Sequence, residues 1–263
     1  QTFPFDDIHS AYRWLQSRDH IGKGVVSIPP SLQHHESVRV PTYSTDLEPI
    51  AVIGMSGRFA SAGSTEALWD ALVNGVDLVE QVSRWEVSSL SSVSAGSSCK
   101  QGGFLTDIDC FDPLFFNISS MEAAAMDPQQ RLLLEETWHA LEDAGHAGRA
   151  IEGARCGVYV GCSAGDYLDL LGAAAPAQAF WGNAASVIPA RIAFHMNWQG
   201  PAVATDTACS SSLVAIHQAC QALRDDEVDM AIAGGVFVQC TQRLFRQANQ
   251  AGMLSNTGRC SVF

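Results

Sequence analysis

The residues best suited to chemistry are the run Thr205-Asp206-Thr207-Ala208-Cys209-Ser210-Ser211-Ser212, a thiol set among small, mostly hydroxylated neighbours. The apolar residues 202–205 precede it and read as a buried strand, and Leu213, Ile216, Cys220 and Leu223 follow at helical spacing. Cys209 therefore falls on a strand-to-helix turn, at or just before a helix N-terminus. Backbone N–H groups there lack intrahelical partners and carry partial positive charge. Such a place favours the thiolate, the form that attacks, and offers donors to a developing oxyanion. Ala208, Ser210, Ser211 and Ser212 leave room for a substrate. Two readings stand on these residues alone: a nucleophile on an elbow-like turn, or a buried, inert thiol, the commonest fate of a free cysteine.

The other candidates are weaker. Cys162, in Gly161-Cys162-Ser163-Ala164-Gly165, also follows a strand, but no strong helix pattern comes after it. Cys99, Cys110, Cys156, Cys220, Cys240 and Cys260 complete the set. None forms a C-x-x-C pair, so no structural zinc site is expected, and several sit in apolar runs as small hydrophobes do. That usage suits a reducing, cytoplasmic setting. His34-His35 falls on an extended segment, where adjacent side chains point apart, which argues against a metal site. Gly54-Met55-Ser56-Gly57 lacks both G-x-G-x-x-G and G-K-[ST] and reads as a tight turn at a strand end. His217 lies eight residues past Cys209, more than two helical turns away. His195, in an apolar stretch, reads as structural, and Glu135, Glu136, Glu142 and Asp143 are expected on an exposed helix face or against a partner. A cysteine nucleophile normally works with a base or oxyanion partner, and no histidine here is a convincing one.

Three regions would position these groups. Residues 1–28 predict a short helix, capped by Asp6 or Asp7 and carrying Ile8, Ala11, Tyr12, Trp14 and Leu15 on one face, then a turn over 20–24 and a strand over 25–28. That is too little to form a core alone. Residues 29–48, with Pro29, Pro30 and Pro41, read as an extended linker. Residues 49–263 read as an α/β body. It begins with a buried strand over 50–53 and a helix over 65–74, capped by Ser64 or Thr65 and stopped by Gly75. A long surface loop is expected over 82–103. Asp127 then caps a helix with Pro128 at its first position, Gln130 completing a capping box, Leu134, Trp138 and Leu141 at helical spacing, and Gly145 ending it. Further strands are expected over 157–161, 202–205 and 230–238, with a helix over 184–194. Strands without polar alternation, separated by helices, predict a mostly parallel sheet covered on both faces.

Composition narrows the functions. Among 263 residues, 15 Lys and Arg face 28 Asp and Glu, a net charge of −13 that excludes nucleic-acid and anionic-membrane binding. Charged residues make up 16%, against a usual share of about 25%, and hydrophobic ones 47%, so most of the chain is not disordered. The low charge has two readings: surface buried against itself or a partner, or an Ala- and Gly-rich sequence that uses few charges. No signal peptide and no membrane-spanning apolar run is present. The chain opens on Gln1 and closes on Val262-Phe263, and neither end has the look of a natural terminus.

The run from Asp206 to His217 resembles the active-site motif of β-ketoacyl synthase (ketosynthase) domains of modular type I polyketide synthases. Collinear segments extend the resemblance: Glu48-Pro49-Ile50-Ala51-Val52-Ile53-Gly54-Met55, Gly102-Gly103-Phe104-Leu105, Phe111-Asp112-Pro113, Phe115-Phe116-Asn117-Ile118-Ser119 and Met126-Asp127-Pro128-Gln129-Gln130-Arg131. Trp138-His139-Ala140-Leu141-Glu142-Asp143-Ala144-Gly145, Ala233-Gly234-Gly235-Val236 and Gly252-Met253-Leu254-Ser255 follow in order. Departures fall at Ser120-Met121, where the family often has Pro-Arg, and at Ala190, where Gly is usual; they bear on substrate preference. Phe3-Pro4-Phe5, Ala11-Tyr12-Arg13-Trp14-Leu15 and His20-Ile21-Gly22-Lys23 resemble the C-terminal tail of a medium-chain-reductase-type enoylreductase, although a reductase directly before a ketosynthase is not the usual order.

The resemblance implies a thiolase-like layered α/β fold, with residues 1–28 a reductase tail, 29–48 a linker and 49–263 the N-terminal half of a ketosynthase. Cys209 would take an acyl chain from the phosphopantetheine thiol of an acyl carrier protein. Carrier-bound malonyl would then lose carbon dioxide and attack the thioester, giving a β-ketoacyl product. No cofactor is expected to be bound, because substrates arrive on phosphopantetheine. Expected partners are the carrier protein, a second ketosynthase subunit in a homodimer, and neighbouring synthase domains, with no nucleic acid and no membrane. The family's two catalytic histidines, in H-G-T-type and N-x-x-G-H-type motifs, are absent and are expected beyond residue 263. A non-elongating acyl-transfer or dimer-scaffold domain and a fatty-acid synthase ketosynthase are the alternatives.

Overall fold

The computed structural model describes residues 2–17, 25–27, 48–86, 99–146, 148–255 and 257–260. The predicted turn over 20–24, nearly all of the predicted linker with His34-His35, and the middle of the predicted 82–103 loop lie outside the described residues. The chain divides into a small unit up to Pro49, with Cys260, and a large unit, Ile50–Arg259.

In the small unit, β1 (Thr2–Pro4) and β2 (Val25–Ser27) pair in parallel, with Phe3 opposite Val26, and α1 (Ile8–Gln16) lies between them in sequence. Phe3 and Ala11 are buried, and the Phe3 and Trp14 rings meet with centroids 5.7 Å apart. β1 was not expected from its sequence: three residues ending in proline carry no strand pattern, and the parallel partner 23 positions later creates the strand. The expected apolar face of α1 is only partly used, since Tyr12 is 61% exposed.

The large unit runs α2 (Thr65–Val73), β3 (Glu80–Gln81), β4 (Gln101–Gly102), α3 (Ser120–Ala125), α4 (Pro128–Asp143), β5 (Cys156–Gly161), α5 (Tyr167–Leu171), α6 (Ala179–Gly182), α7 (Val187–His195), β6 (Ala202–Thr205), α8 (Ser211–Arg224), β7 (Met230–Gly235) and α9 (Arg243–Gln250). Its main sheet has the order β6-β5-β7, all parallel, with Tyr159 opposite both Val203 and Ala233. β5 is buried throughout. Strand alternation sends Val158 and Val160 into a core with Leu134 and Leu141 of α4 and Ile188 and Ile192 of α7. Tyr159 points the other way, onto Ala215, Ala219 and Ala222 of α8. Helices therefore cover both faces of a parallel sheet, as expected.

Two elements sit against the sheet differently from their sequence pattern. Of the apolar residues at helical spacing on α8, Leu223 packs at the sheet but Leu213 is 70% exposed, and the buried stripe is Ser211, Ala215, Ala219 and Ala222. Small residues let the helix backbone approach the sheet closely. The run 50–53 forms no strand; Val52 is 77% exposed, because no described strand lies beside it. This segment is held at its end instead. A Cβ on Gly54 would sit 2.3 Å from the Ala140 carbonyl oxygen of α4, and the Met55 N–H donates to Asp143 Oδ2 at 2.8 Å.

Of the acidic residues expected on an exposed helix face or against a partner, Glu135, Glu136 and Asp143 hold this segment, while Glu142 is exposed. Arg58 reaches Glu136 Oε1 at 2.6 Å and Glu135 Oε2 at 2.8 Å, and the Ser56 hydroxyl donates to Glu136 Oε2. Burial works against the Arg58 charge, but the hydrogen bond to Glu135 and the two carboxylate charges outweigh it and raise the guanidinium pKa. The predicted surface loop also departs from expectation at its ends. Val82 and Cys99 are buried with Phe245, and the β3–β4 ladder closes the loop at Glu80–Gly102 and Gln81–Gln101. β7 stops at Gly235, after which the Val236 N–H bonds to the Gly161 carbonyl and Val238 is buried with Leu132 of α4. α7 starts three residues later than expected, because Asn183 spends its amide on the Ala125 and Ala179 carbonyls.

The start of α4 follows its sequence signals with one change. Asp127 Oδ1 accepts from the Gln129 N–H at 2.8 Å, and Pro128 stands first. Gln130 does not complete the capping box; it donates to the Trp181 carbonyl at 2.9 Å and accepts from Arg191 Nε at 3.0 Å, while the Asp127 N–H goes to Gly182. Asp127 is 3% exposed, and burial, against the hydrogen bond from Gln129, lifts its carboxyl to about 6. An acid whose folded pKa is raised contributes stability that is present below pH 4 and lost as pH rises through 6. Asp127→Asn keeps the capping oxygen and removes the titration. The stability advantage of wild type over the variant, measured by urea unfolding, is expected to shrink by about 2–4 kcal/mol between pH 4 and pH 7. Parallel pH curves would contradict this.

Candidate active site

β6 ends at Thr205, which pairs with Gly161 of β5 and donates its hydroxyl to Gln218 Oε1 of α8 at 2.8 Å. The chain then turns through Asp206 and Thr207 into a single 3-10 turn, Ala208–Ser210, and α8 begins at Ser211. Cys209 is exposed in the middle of that turn. The predicted site is thus a strand–turn–helix elbow presenting a thiol, and the alternative of a buried cysteine is not what the structure holds.

The backbone before the thiol is strained. Ala208 has φ 58°, the left-handed region, which costs an L-residue roughly 1–2 kcal/mol. Polar neighbours secure it: its N–H donates to Asp206 Oδ1 at 3.1 Å, and its carbonyl accepts from the Ser211 hydroxyl at 2.7 Å. The Ser210 hydroxyl turns back to the Thr207 carbonyl and Oγ1, both at 2.9 Å, so it does not cap α8. No side chain caps the start of α8, and its first N–H, that of Ser211, donates to the Ala208 carbonyl; an oxyanion would have to be met by the other N–H groups of the turn.

The elbow rests on two glycines that sequence reasoning passed over. A Cβ on Gly161 would lie 2.4 Å from both the Ser211 carbonyl carbon and the Ser212 nitrogen. One on Gly235 of β7 would lie 2.7 Å from Ser212 Cβ. Gly161 and Gly235 are partners in the sheet, so they form one floor beneath the helix start. Glycine at matched ends of two apolar strands was the available signal.

The other thiols are unsuited to attack. Burial raises the pKa of Cys156 and Cys240 to about 12, and burial together with the Asp206 charge takes Cys162 to about 11. Cys162 Sγ lies 3.8 Å from the Ala185 carbonyl oxygen. Cys110 and Cys260 are exposed, but neither lies on a turn that joins a strand directly to a helix. His195 packs against Phe116, ring centroids 5.0 Å apart, and burial lowers its pKa despite a hydrogen bond with the Phe116 backbone. His217 is exposed on α8. Among the described residues no histidine is hydrogen-bonded to the Cys209 thiol, and no three His, Cys, Asp or Glu side chains could share a metal ion. Among the same residues no helix is long and apolar enough to cross a membrane.

Known proteins are similar to this chain in sequence and fold. The family profile described as Beta-ketoacyl synthase, N-terminal domain, matches residues 47–263. Polyketide synthase PksM of Bacillus subtilis (strain 168) is 46% identical over 218 residues, 82% of this chain and 5% of that protein. The phthioceranic/hydroxyphthioceranic acid synthase of Mycobacterium bovis (strain BCG / Pasteur 1173P2) is 42% identical over 225 residues, 82% of this chain and 11% of its own length. The solved ketosynthase from module 6 of the bacillaene synthase from Bacillus subtilis 168 superposes with a TM-score of 0.72 at 42% identity, over 80% of this chain and 35% of that one. The chain thus spans a small part of these relatives, and its fold is that of the ketosynthases. A profile match across the whole large unit, with identities above 40% to both sequence and structural relatives, places this chain in the β-ketoacyl synthase family, as an N-terminal domain.

Proposed function

We propose that this chain is the nucleophile-bearing part of a polyketide-synthase ketosynthase, and that Cys209 is its acyl acceptor. The observation that carries this is the exposed thiol on a strained elbow at the end of a parallel sheet, within a chain of this family. The Cys209 thiolate attacks the carbonyl carbon of an acyl thioester held on the phosphopantetheine of an acyl carrier protein. The new carbon–sulfur bond forms, the old one breaks, and the departing pantetheine thiolate takes up the proton that Cys209 gave up. Carrier-bound malonyl then loses carbon dioxide, and the resulting carbanion attacks the Cys209 thioester. A carbon–carbon bond forms and the thiolate of Cys209 is released. The first step uses groups that this chain supplies: the thiol and the uncapped N–H groups of α8. We assign the second to histidines of the H-G-T and N-x-x-G-H motifs, which this sequence lacks and which belong to the portion of a ketosynthase that this chain does not match.

The same proposal makes residues 1–28 the tail of an enoylreductase domain and 29–48 a linker, and the parallel β1–β2 pair bridged by α1 supports a fragment of an α/β domain. It also includes a second subunit and neighbouring synthase domains as partners. Exposed Val52, Ile53, Met55, Trp69, Leu72 and Leu213 support that part, since surface of this kind is ordinarily covered in an assembly. Of the two readings of the low charge, they favour the one in which a partner buries the surface.

The test is to incubate the full-length protein with an acyl thioester of pantetheine, digest it, and weigh the peptides. The acyl mass is expected on the peptide carrying Cys209 and to be lost on treatment with hydroxylamine. Its appearance on another peptide would overturn the assignment.

A further inference from the structure

The Ser211 hydroxyl makes two hydrogen bonds that together bracket the strained residue. It accepts from the Thr207 N–H at 2.9 Å and donates to the Ala208 carbonyl at 2.7 Å. Ser211 is 9% exposed, so water competes poorly for either bond. Its backbone is itself fixed, because the helix start lies directly on Gly161. A continuous line of contact thus runs from β5 through the Ser211 backbone to its hydroxyl, then to Thr207 and Ala208, and so to the residue that bears the thiol. We propose that Ser211 is a positioning residue for Cys209: its hydroxyl clasps the elbow, keeps Ala208 left-handed and ties the thiol's position to the sheet.

The role for Ser211 follows from the geometry. Alanine at 208 resists a positive φ, whereas glycine adopts it freely. Without the clasp an alanine elbow relaxes toward ordinary dihedrals and carries the thiol away from the N–H groups of α8. With glycine at 208 the elbow has no such incentive to relax. Asp206 helps from outside through the Ala208 N–H, but it is exposed and its bond is the longer one. The clasp's value for acyl transfer rests on the proposed function; its effect on the thiol does not.

The experiment compares wild type, Ser211→Ala, Ala208→Gly and the double variant in the full-length protein. Acylation by a pantetheine thioester and alkylation by iodoacetamide are both followed at the Cys209 peptide across pH. In Ser211→Ala the acylation rate constant is expected to fall about 10- to 100-fold, with half-saturation unchanged, since the thiol is misplaced. Its alkylation rate is expected to fall as well. The double variant should recover most of both losses, a rescue that simple damage to the fold would not show. An unchanged alkylation profile in Ser211→Ala, or a loss that Ala208→Gly fails to restore, would overturn the clasp. Wild type that alkylates at Cys209 yet takes no acyl group would overturn the proposed function and leave the clasp to be judged on the alkylation profiles.

Discussion

Cys209→Ala is expected to bring acyl transfer to the chain down by more than about a thousandfold, to the background of the reagent. The reason is that, among the described residues, no other exposed thiol stands on a turn that joins a strand directly to a helix. Cys162 follows the neighbouring strand and would be the nearest rival in kind, but it is buried and its pKa is about 11. Cys156 and Cys240 are held protonated more firmly still, at about 12. Cys209→Ser is the sharper variant, because it keeps size and shape while replacing a thiol with a hydroxyl that does not ionise near neutrality. Among the described residues no histidine is bonded at position 209 to activate that serine. Both variants should melt within about 0.5 kcal/mol of wild type, since the side chain is exposed and supports nothing. Persistent labelling in Cys209→Ala, read by mass spectrometry, would remove the nucleophile from this position.

Gly161→Ala is expected to be nearly as damaging, although it changes no reacting group. The added methyl would meet two backbone atoms at 2.4 Å, about 1 Å inside ordinary carbon contact. Backbone cannot swing aside as a long side chain can, so the start of α8 must lift from the sheet. Overpacking of this kind costs about 1–3 kcal/mol of stability. The larger effect is on geometry: a displacement of about 1 Å at a reacting group costs on the order of a hundredfold in rate. β7 supplies a control in adjacent residues. Gly235→Ala should show the same defect more mildly, through its 2.7 Å approach to Ser212 Cβ, while a Cβ on Gly234 meets nothing within 4 Å and should be silent. Acylation rates for the three variants, beside their melting curves, decide the matter; equal behaviour of Gly234→Ala and Gly235→Ala would argue against a glycine floor.

The parts of this architecture that could be read in advance are those whose cause is local. Ser64 caps α2 because its hydroxyl accepts from the Ala67 N–H three residues on, and Asp127 with Pro128 starts α4 for reasons contained in one turn. The β6–Cys209–α8 order was legible because an apolar run, small residues and a helical pattern follow one another without interruption. What was missed depends on partners distant in sequence. Residues 50–53 have the composition of a strand, but a strand is a pairing, and among the described residues they have none. Glu135 and Glu136 read equally as an exposed face or a partner contact, because their partner, Arg58, stands 77 residues or more away. On α8 helical spacing did not tell which apolar residues meet the sheet: Leu223 packs there and Leu213 does not. At Ser211, Ala215, Ala219 and Ala222 the close approach of helix and sheet leaves room only for small side chains.

That close approach has a consequence for how such a protein can vary over time. Gly161, Gly235, Ala215, Ala219 and Ala222 already stand at the floor of side-chain volume. Nearly every substitution open to them is larger, so drift at this interface runs in one direction, toward a thicker seam and a raised thiol. A lineage cannot explore new substrates there by small reversible steps. Leu213 and Ile216, on the outer side of the same helix, carry no such limit. On that side the limit is set by the partner proposed to cover Leu213, not by the sheet beneath the sulfur, so the two faces of α8 vary under separate constraints.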